Sequence, residues 1–228
     1  MPYIKAILVL ANSRKLGGRC VAGREFDQGR FGGWIRPVSG HGHGEVAEAD
    51  RRFRDGTDPA LFDIIDIPML KPKPHAYQAE NHLIDARVHW RFVRKATSEE
   101  VVAASDGATV SLWDNSSSTR KGLRDRVLPS QASNGSLRFI EVLDLQIQVS
   151  VEGARFDNPK RKTRGQFTFN SILYRFSVTD PRVERAYLEK DDGLYPVGKA
   201  LLCISLGDVN ETDGYAYKLI ASVTRLKS

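Results

Sequence analysis

Apolar and polar residues alternate in short runs along most of this chain. Residues 3–11 place Ile4, Ala6, Leu8 and Leu10 on one face. Leu143, Leu145, Ile147, Val149 and Val151 keep a cleaner period of two, as do Ile172, Tyr174, Phe176 and Val178. Tyr215, Tyr217, Leu219, Ala221 and Val223 repeat it near the end. Successive side chains of a strand point to opposite faces, so these segments, and 62–67 with them, are predicted strands. Helices are expected only where a cap announces one. Thr97 or Ser98 can cap 98–104, with Glu99 and Glu100 in the first turn, and Asp180-Pro181 opens 181–189 with proline at the first helical position.

Residues 105–136 are rich in Ser, Asp, Asn and Gly and carry little periodicity. Within them Ala132-Ser133-Asn134-Gly135-Ser136 is the expected hinge, which divides the chain into 1–135 and 136–228. Short strands separated by glycine-bearing turns, with one helix in each half, predict a mainly β protein of two small barrels. A single larger sandwich satisfies the same periodicity.

Composition narrows the class. At 228 residues with 41% hydrophobic and 27% charged side chains, the chain can bury a proper core. The net charge of +6 is unevenly spread. Residues 1–36 hold Lys5, Arg14, Lys15, Arg19, Arg24, Arg30 and Arg36 against only Glu25 and Asp27, an excess of five. No apolar run approaches the roughly 18–20 residues of a membrane span. The opening residues lack a charged n-region and a cleavage site. The expectation is a cytoplasmic protein, with no membrane partner and with Cys20 and Cys203 reduced.

The basic stretch 12–24 offers glycine backbone and cations together. Asn12, Ser13, Arg14, Lys15, Gly17, Gly18 and Arg19 are candidate phosphate contacts, or else an ordinary solvated hairpin. Trp34 is either a stacking ring or a core residue, and Arg36 either a contact or a structural ion pair. A second basic group, Lys160, Arg161, Lys162 and Arg164, reads as an exposed loop that a polyanion could meet, with Phe167 and Phe169 as neighbouring rings. The hydroxyl-rich 113–121, ending in Arg120 and Lys121, is a phosphate-holding loop or a linker.

Other chemistry is poorly supported. His41, His43 and Glu45 are spaced for one side of a strand, but Gly40, Gly42 and Gly44 surround them and nothing fixes further ligands. Asp63 and Asp66 lie three apart on a predicted strand and so face opposite ways, which opposes a shared cation. No phosphate-binding, nucleophile-elbow or dinucleotide fingerprint is present, and no cofactor is expected.

Several segments together resemble a bacterial family, the dual OB-containing domain. They are Ala11-Asn12-Ser13-Arg14-Lys15 with Gly17-Gly18-Arg19-Cys20-Val21-Ala22-Gly23, then Trp34-Ile35-Arg36-Pro37-Val38-Ser39. Leu112-Trp113 with Gly122-Leu123-Arg124-Asp125-Arg126-Val127 follows, and then Tyr174-Arg175-Phe176-Ser177-Val178-Thr179-Asp180-Pro181. Leu202-Cys203-Ile204-Ser205-Leu206-Gly207 and Gly214-Tyr215-Ala216-Tyr217-Lys218-Leu219 complete the set. The resemblance implies two OB-type barrels in tandem and recognition of nucleic acid or a nucleotide. It also implies a setting in prokaryotic conflict or anti-phage systems, and it carries over no catalytic residues. The expected protein is a non-catalytic module that binds nucleic acid, preferably single-stranded, or a nucleotide-derived ligand. The alternative is a regulatory subunit that docks on a protein effector, and a metal-dependent nucleic-acid enzyme comes third.

Overall fold

The computed structural model describes residues 1–113, 117–132, 135–154 and 157–226. Ser133 and Asn134 of the expected hinge, and 114–116 of the hydroxyl-rich loop, lie outside them. The chain forms two compact units, Met1–Ser105 and Asp106–Ser228. The described residues of 106–135, read from the sequence as the tail of the first half, therefore group with the second. The reason is a set of polar ties. Asp106 accepts the Phe139 N–H at 2.7 Å, the Trp113 carbonyl accepts from Lys218 Nζ at 3.0 Å, and Arg138 stacks on Trp113 at 4.6 Å.

In the first unit, β1 (Tyr3–Lys15), β2 (Gly18–Asp27), β3 (Arg30–Val38), β4 (Asp63–Pro72) and β5 (Asn81–Ile84) close into a barrel. The order is β1-β2-β3-β5-β4 and back to β1, with β3 and β5 parallel and every other pair antiparallel. A one-turn helix, α1 (Glu48–Arg51), lies between β3 and β4, and β6 (Arg91–Lys95) adds to β4. Of the two caps expected from the sequence, Thr97 is the one used on α2 (Ser98–Ala103), and it forms a capping box: Thr97 accepts from the Glu100 N–H, and Glu100 accepts from the Thr97 N–H.

The second unit repeats this plan. After β7 (Arg126–Val127), β8 (Leu137–Glu152), β9 (Lys160–Phe169), β10 (Ile172–Val178), β11 (Gly193–Val209) and β12 (Ala216–Arg225) run in the order β8-β9-β10-β12-β11 and back to β8. Again the third and fifth strands are the parallel pair. The helix α3 (Pro181–Leu188) sits between the third and fourth strands, capped by Asp180 with Pro181 at its start. The chain is thus mainly β, built as two five-stranded barrels in tandem.

Two predicted faces are corrected. Ile7 and Val9, not Ile4 and Ala6, enter the first core, and 7–11 is buried on both faces. In β12 the interior takes Ala216, Lys218 and Ile220 rather than the tyrosines. Lys218 can be buried because its Nζ donates to the Trp113 carbonyl at 3.0 Å and lies 5.7 and 5.8 Å from the Tyr174 and Phe176 rings.

Candidate nucleic-acid interface

OB-type barrels take ligands on the outer face of their second and third strands and the adjoining loops. In the first unit those strands are β2 and β3, joined by Gln28 and Gly29 at φ +46° and +81°, as a two-residue hairpin turn requires. Ile35 belongs to the core with Val21, and its partner Gly23 leaves room only for the Ile7 side chain and the Leu8 carbonyl. Gly23 and Ile35 therefore point inward, and the neighbouring pair, Arg24 and Trp34, points outward.

Trp34 is half-buried, and the Arg24 guanidinium lies over its ring at 4.8 Å. Two positions along β2, past a register shift that takes up one extra residue of β3, Phe26 pairs with Phe31, their rings 5.5 Å apart and both half-buried. Arg94 of β6 lies over Phe26 at 5.3 Å and is held by Glu100 at 2.6 and 2.8 Å. That hydrogen bond and charge keep the Arg94 pKa above its usual value. Three rings and the Arg24 guanidinium thus share one strand pair, with the Arg94 guanidinium reaching it from β6. The sequence pointed to Trp34 and, within the basic stretch 12–24, to Arg24, but not to Phe26, Phe31 or Arg94. The available signal was Arg24-x-Phe26 facing Phe31 across a two-residue turn.

The hairpin β1–β2 serves a different purpose. Arg14 pairs with Arg19, and alternation puts both on the side of Val21, opposite to Arg24 and Trp34. Arg14 is exposed, while Arg19 pairs its backbone with Val46 at 3.0 and 2.9 Å. Lys15 Nζ donates to the His43 carbonyl at 2.6 Å, Asn12 Nδ2 donates to the Pro59 carbonyl at 2.7 Å, and Ser13 is buried. Gly17 lies exposed in the turn, whereas a Cβ on Gly18 would sit 2.7 Å from the Val46 carbonyl. Glycine here permits close backbone packing. Arg36 is the next outward position on β3, yet the loop after β4 folds over it and places Glu80 at 3.4 Å; both side chains are buried. The single cradle expected from 12–19, Trp34 and Arg36 is therefore divided between two faces.

In the second unit the basic group 160–164 is likewise sorted by its neighbours. Arg164 is buried, with Glu152 at 2.6 and 3.0 Å and Asp125 at 3.4 Å. Arg161 pairs with Asp192 and donates to the carbonyls of Leu188 and Lys190, closing the end of α3. Phe167 and Phe169 are core residues. Lys160, Lys162, Arg120 and Lys121 remain exposed. Burial would raise the Glu152 pKa, but Arg164, Lys162 and Lys121 together hold it below the usual carboxylate value. Lys121 and Lys162, 41 residues apart in sequence, thus act on one carboxylate. The loop around them is folded rather than a linker: Asp125 accepts from the Thr119 N–H at 2.7 Å and the Thr119 hydroxyl at 2.6 Å.

The outer face of the second barrel differs from that of the first. Gly165 points inward at Ile220, as Gly23 does at Ile7, so Gln166 and Arg175 occupy the places of Arg24 and Trp34. Thr168 and Leu173 occupy those of Phe26 and Phe31. No ring stands there. Among the described residues, no group of three or more His, Cys, Asp and Glu is placed to hold a metal ion, and no helix is long and apolar enough to cross a membrane. No curated protein and no solved structure matches the chain. The model of the Dual OB-containing domain matches residues 5–223, nearly the full length. With two barrels of the strand order just described, this chain belongs to the dual OB-containing domain family.

Proposed function

We propose that this protein binds nucleic acid, a single strand in preference to a duplex, through the outer face of β2 and β3, and does so without catalysis. The observation that carries this reading is the set Arg24, Phe26, Phe31 and Trp34 on one outward strand pair, with Arg94 beside it. Rings accept unstacked bases of any sequence, and guanidiniums track the phosphates between them. A base that stacks on Trp34 takes the place of the Arg24 guanidinium, which is left beside the phosphate. A nucleotide-derived ligand would use the same ring and arginine. The exposed Lys121, Lys160 and Lys162 support a second, purely electrostatic contact on the other barrel. The face offers rings and cations rather than a nucleophile with a base, so recognition is the activity proposed. In the cytoplasm of a prokaryotic defence system, the effect of recognition would be exerted by a partner protein.

Fluorescence polarisation with single- and double-stranded DNA, RNA and free nucleotides at two salt concentrations tests the proposal. Single strands are expected to bind tightest, and less tightly as salt rises. Equal binding of duplexes, or binding indifferent to salt, would overturn it.

A further inference from the structure

The rings of the β2–β3 face stand at two levels. Trp34 is the cross-strand partner of Arg24, and Phe26 follows two residues along β2. β2 keeps its alternation against β1 through Arg24 and Glu25, so Phe26 shares the outward side with Arg24. A strand rises about 3.4 Å per residue, which sets Phe26 about 7 Å further along the sheet than the Arg24–Trp34 pair. Successive bases of a duplex strand are only about 3.4 Å apart along the helix axis. A strand whose bases have come apart can lay one on Trp34 and the next at Phe26.

The second level is covered. The Arg94 guanidinium lies over Phe26 at 5.3 Å, and its Nη1 and Nη2 donate to the two carboxylate oxygens of Glu100 at 2.8 and 2.6 Å. Nη1 also donates to the Lys95 carbonyl at 3.0 Å. The side chains of Arg94 and Glu100 are 43% and 23% exposed, so a ligand can reach the pair from solvent. The capping box of α2 fixes the acid in place: the same Glu100 carboxylate accepts the Thr97 N–H at 2.9 Å, and the Thr97 hydroxyl accepts the Glu100 N–H at 3.3 Å. A carboxylate in a guanidinium fork occupies the two parallel bonds that a phosphate would take.

We infer that Phe26 is a second base subsite, held closed by Glu100 through Arg94. A phosphate of the ligand takes the guanidinium from Glu100, Arg94 leaves the ring, and the neighbouring base stacks there. Opening needs one base anchored on Trp34 and a phosphate joined to the next, so the ligand is two or more linked nucleotides rather than one. This subsite presupposes the single-strand reading of the β2–β3 face given above.

The Trp34 indole N–H signal in a ¹H–¹⁵N spectrum of the full chain reports occupancy of the first ring. Thymidine monophosphate, the dinucleotide pTpT and a decathymidylate are titrated against the parent, Glu100→Gln, Glu99→Gln and Phe26→Ala, with thermal melts verifying folding. Glutamine at position 100 preserves the capping box, and Glu99→Gln removes an equal charge from the adjoining exposed residue. Glu100→Gln is expected to bind pTpT about two- to five-fold tighter than Glu99→Gln does, the range of an exposed ion pair, with thymidine monophosphate unchanged between them. Phe26→Ala is expected to weaken pTpT roughly five-fold or more and to leave thymidine monophosphate as it was. Equal pTpT affinity in the two glutamine variants would overturn the closed subsite while leaving binding at Trp34 intact. So would a Phe26→Ala protein that binds both ligands as the parent does, or weakens both alike. A Trp34 signal unmoved by all three ligands, the decathymidylate included, would overturn the single-strand reading and the subsite with it.

Discussion

Truncating Trp34 separates the proposed binding face from the core on which it is built. Ile35, next along β3, is 4% exposed inside the barrel, and its replacement by alanine is expected to cost about 2–5 kcal/mol of stability. Trp34 lies half-buried on the outer side, where Arg24 covers its ring at 4.8 Å. Trp34→Ala should therefore leave the fold nearly as stable while removing a base stack of about 1–3 kcal/mol, roughly a 5- to 150-fold rise in Kd. No charge is lost, so the loss should be the same at 50 and 200 mM salt. Arg24→Ala behaves differently. Removing one phosphate contact lowers the salt slope for a single strand by about 0.7, roughly a 2.5-fold effect over that four-fold change in salt. Polarisation with a labelled single-stranded oligonucleotide measures both, and thermal melts verify folding. If Trp34→Ala binds within two-fold of the parent while Arg14→Glu with Lys15→Glu abolishes binding, the contact lies on the hairpin side and this reasoning is refuted.

Three further outcomes follow from the packing. Arg164→Ala leaves Glu152 and Asp125 buried without their cation and should cost about 3–5 kcal/mol, seen as a lower denaturation midpoint of the second unit with no change at Trp34. Glu100, held at about 2 by Arg94 and by the Thr97 N–H, contributes stability that is complete above its unfolded value of 4.5 and declines as pH falls toward 2. Acid titration of Glu100→Gln should lack that part of the decline, and an unchanged titration would contradict the contact. Gly23→Ala forces a Cβ onto the Leu8 carbonyl and should impair folding, whereas Gly33→Ala meets nothing within 4 Å and should melt like the parent.

Local physics made much of the fold legible. The caps at Thr97 and Asp180 act within one helical turn, and both helices start where those residues place them. Alternation located parts of β1, β8, β10 and β12, because a half-buried strand repeats every two residues wherever it lies in a sheet, but it did not mark β2 or β9, whose basic residues read as a turn and a loop. It misjudged which side of β12 faces inward, because Lys218 is admitted to the core by the Trp113 carbonyl, 105 residues away.

The candidate site was less legible for the same reason. A cation in the sequence is only a charge, and its availability depends on where the carboxylates and carbonyls of distant segments come to rest. Arg36 met Glu80, Arg164 met Glu152 and Asp125, and Arg161 met the end of α3. The rings of Phe26 and Phe31 became a surface only once the register of β2 against β3 put them beside Arg24 and Trp34. The sequence by itself determined that this is a mainly β chain with its positive charge concentrated at the start, while its periodicity left two barrels and one sandwich equally open. Only the tertiary structure decided which cations stay open to a ligand, because burial and charge pairing are properties of neighbours that the chain order does not place side by side.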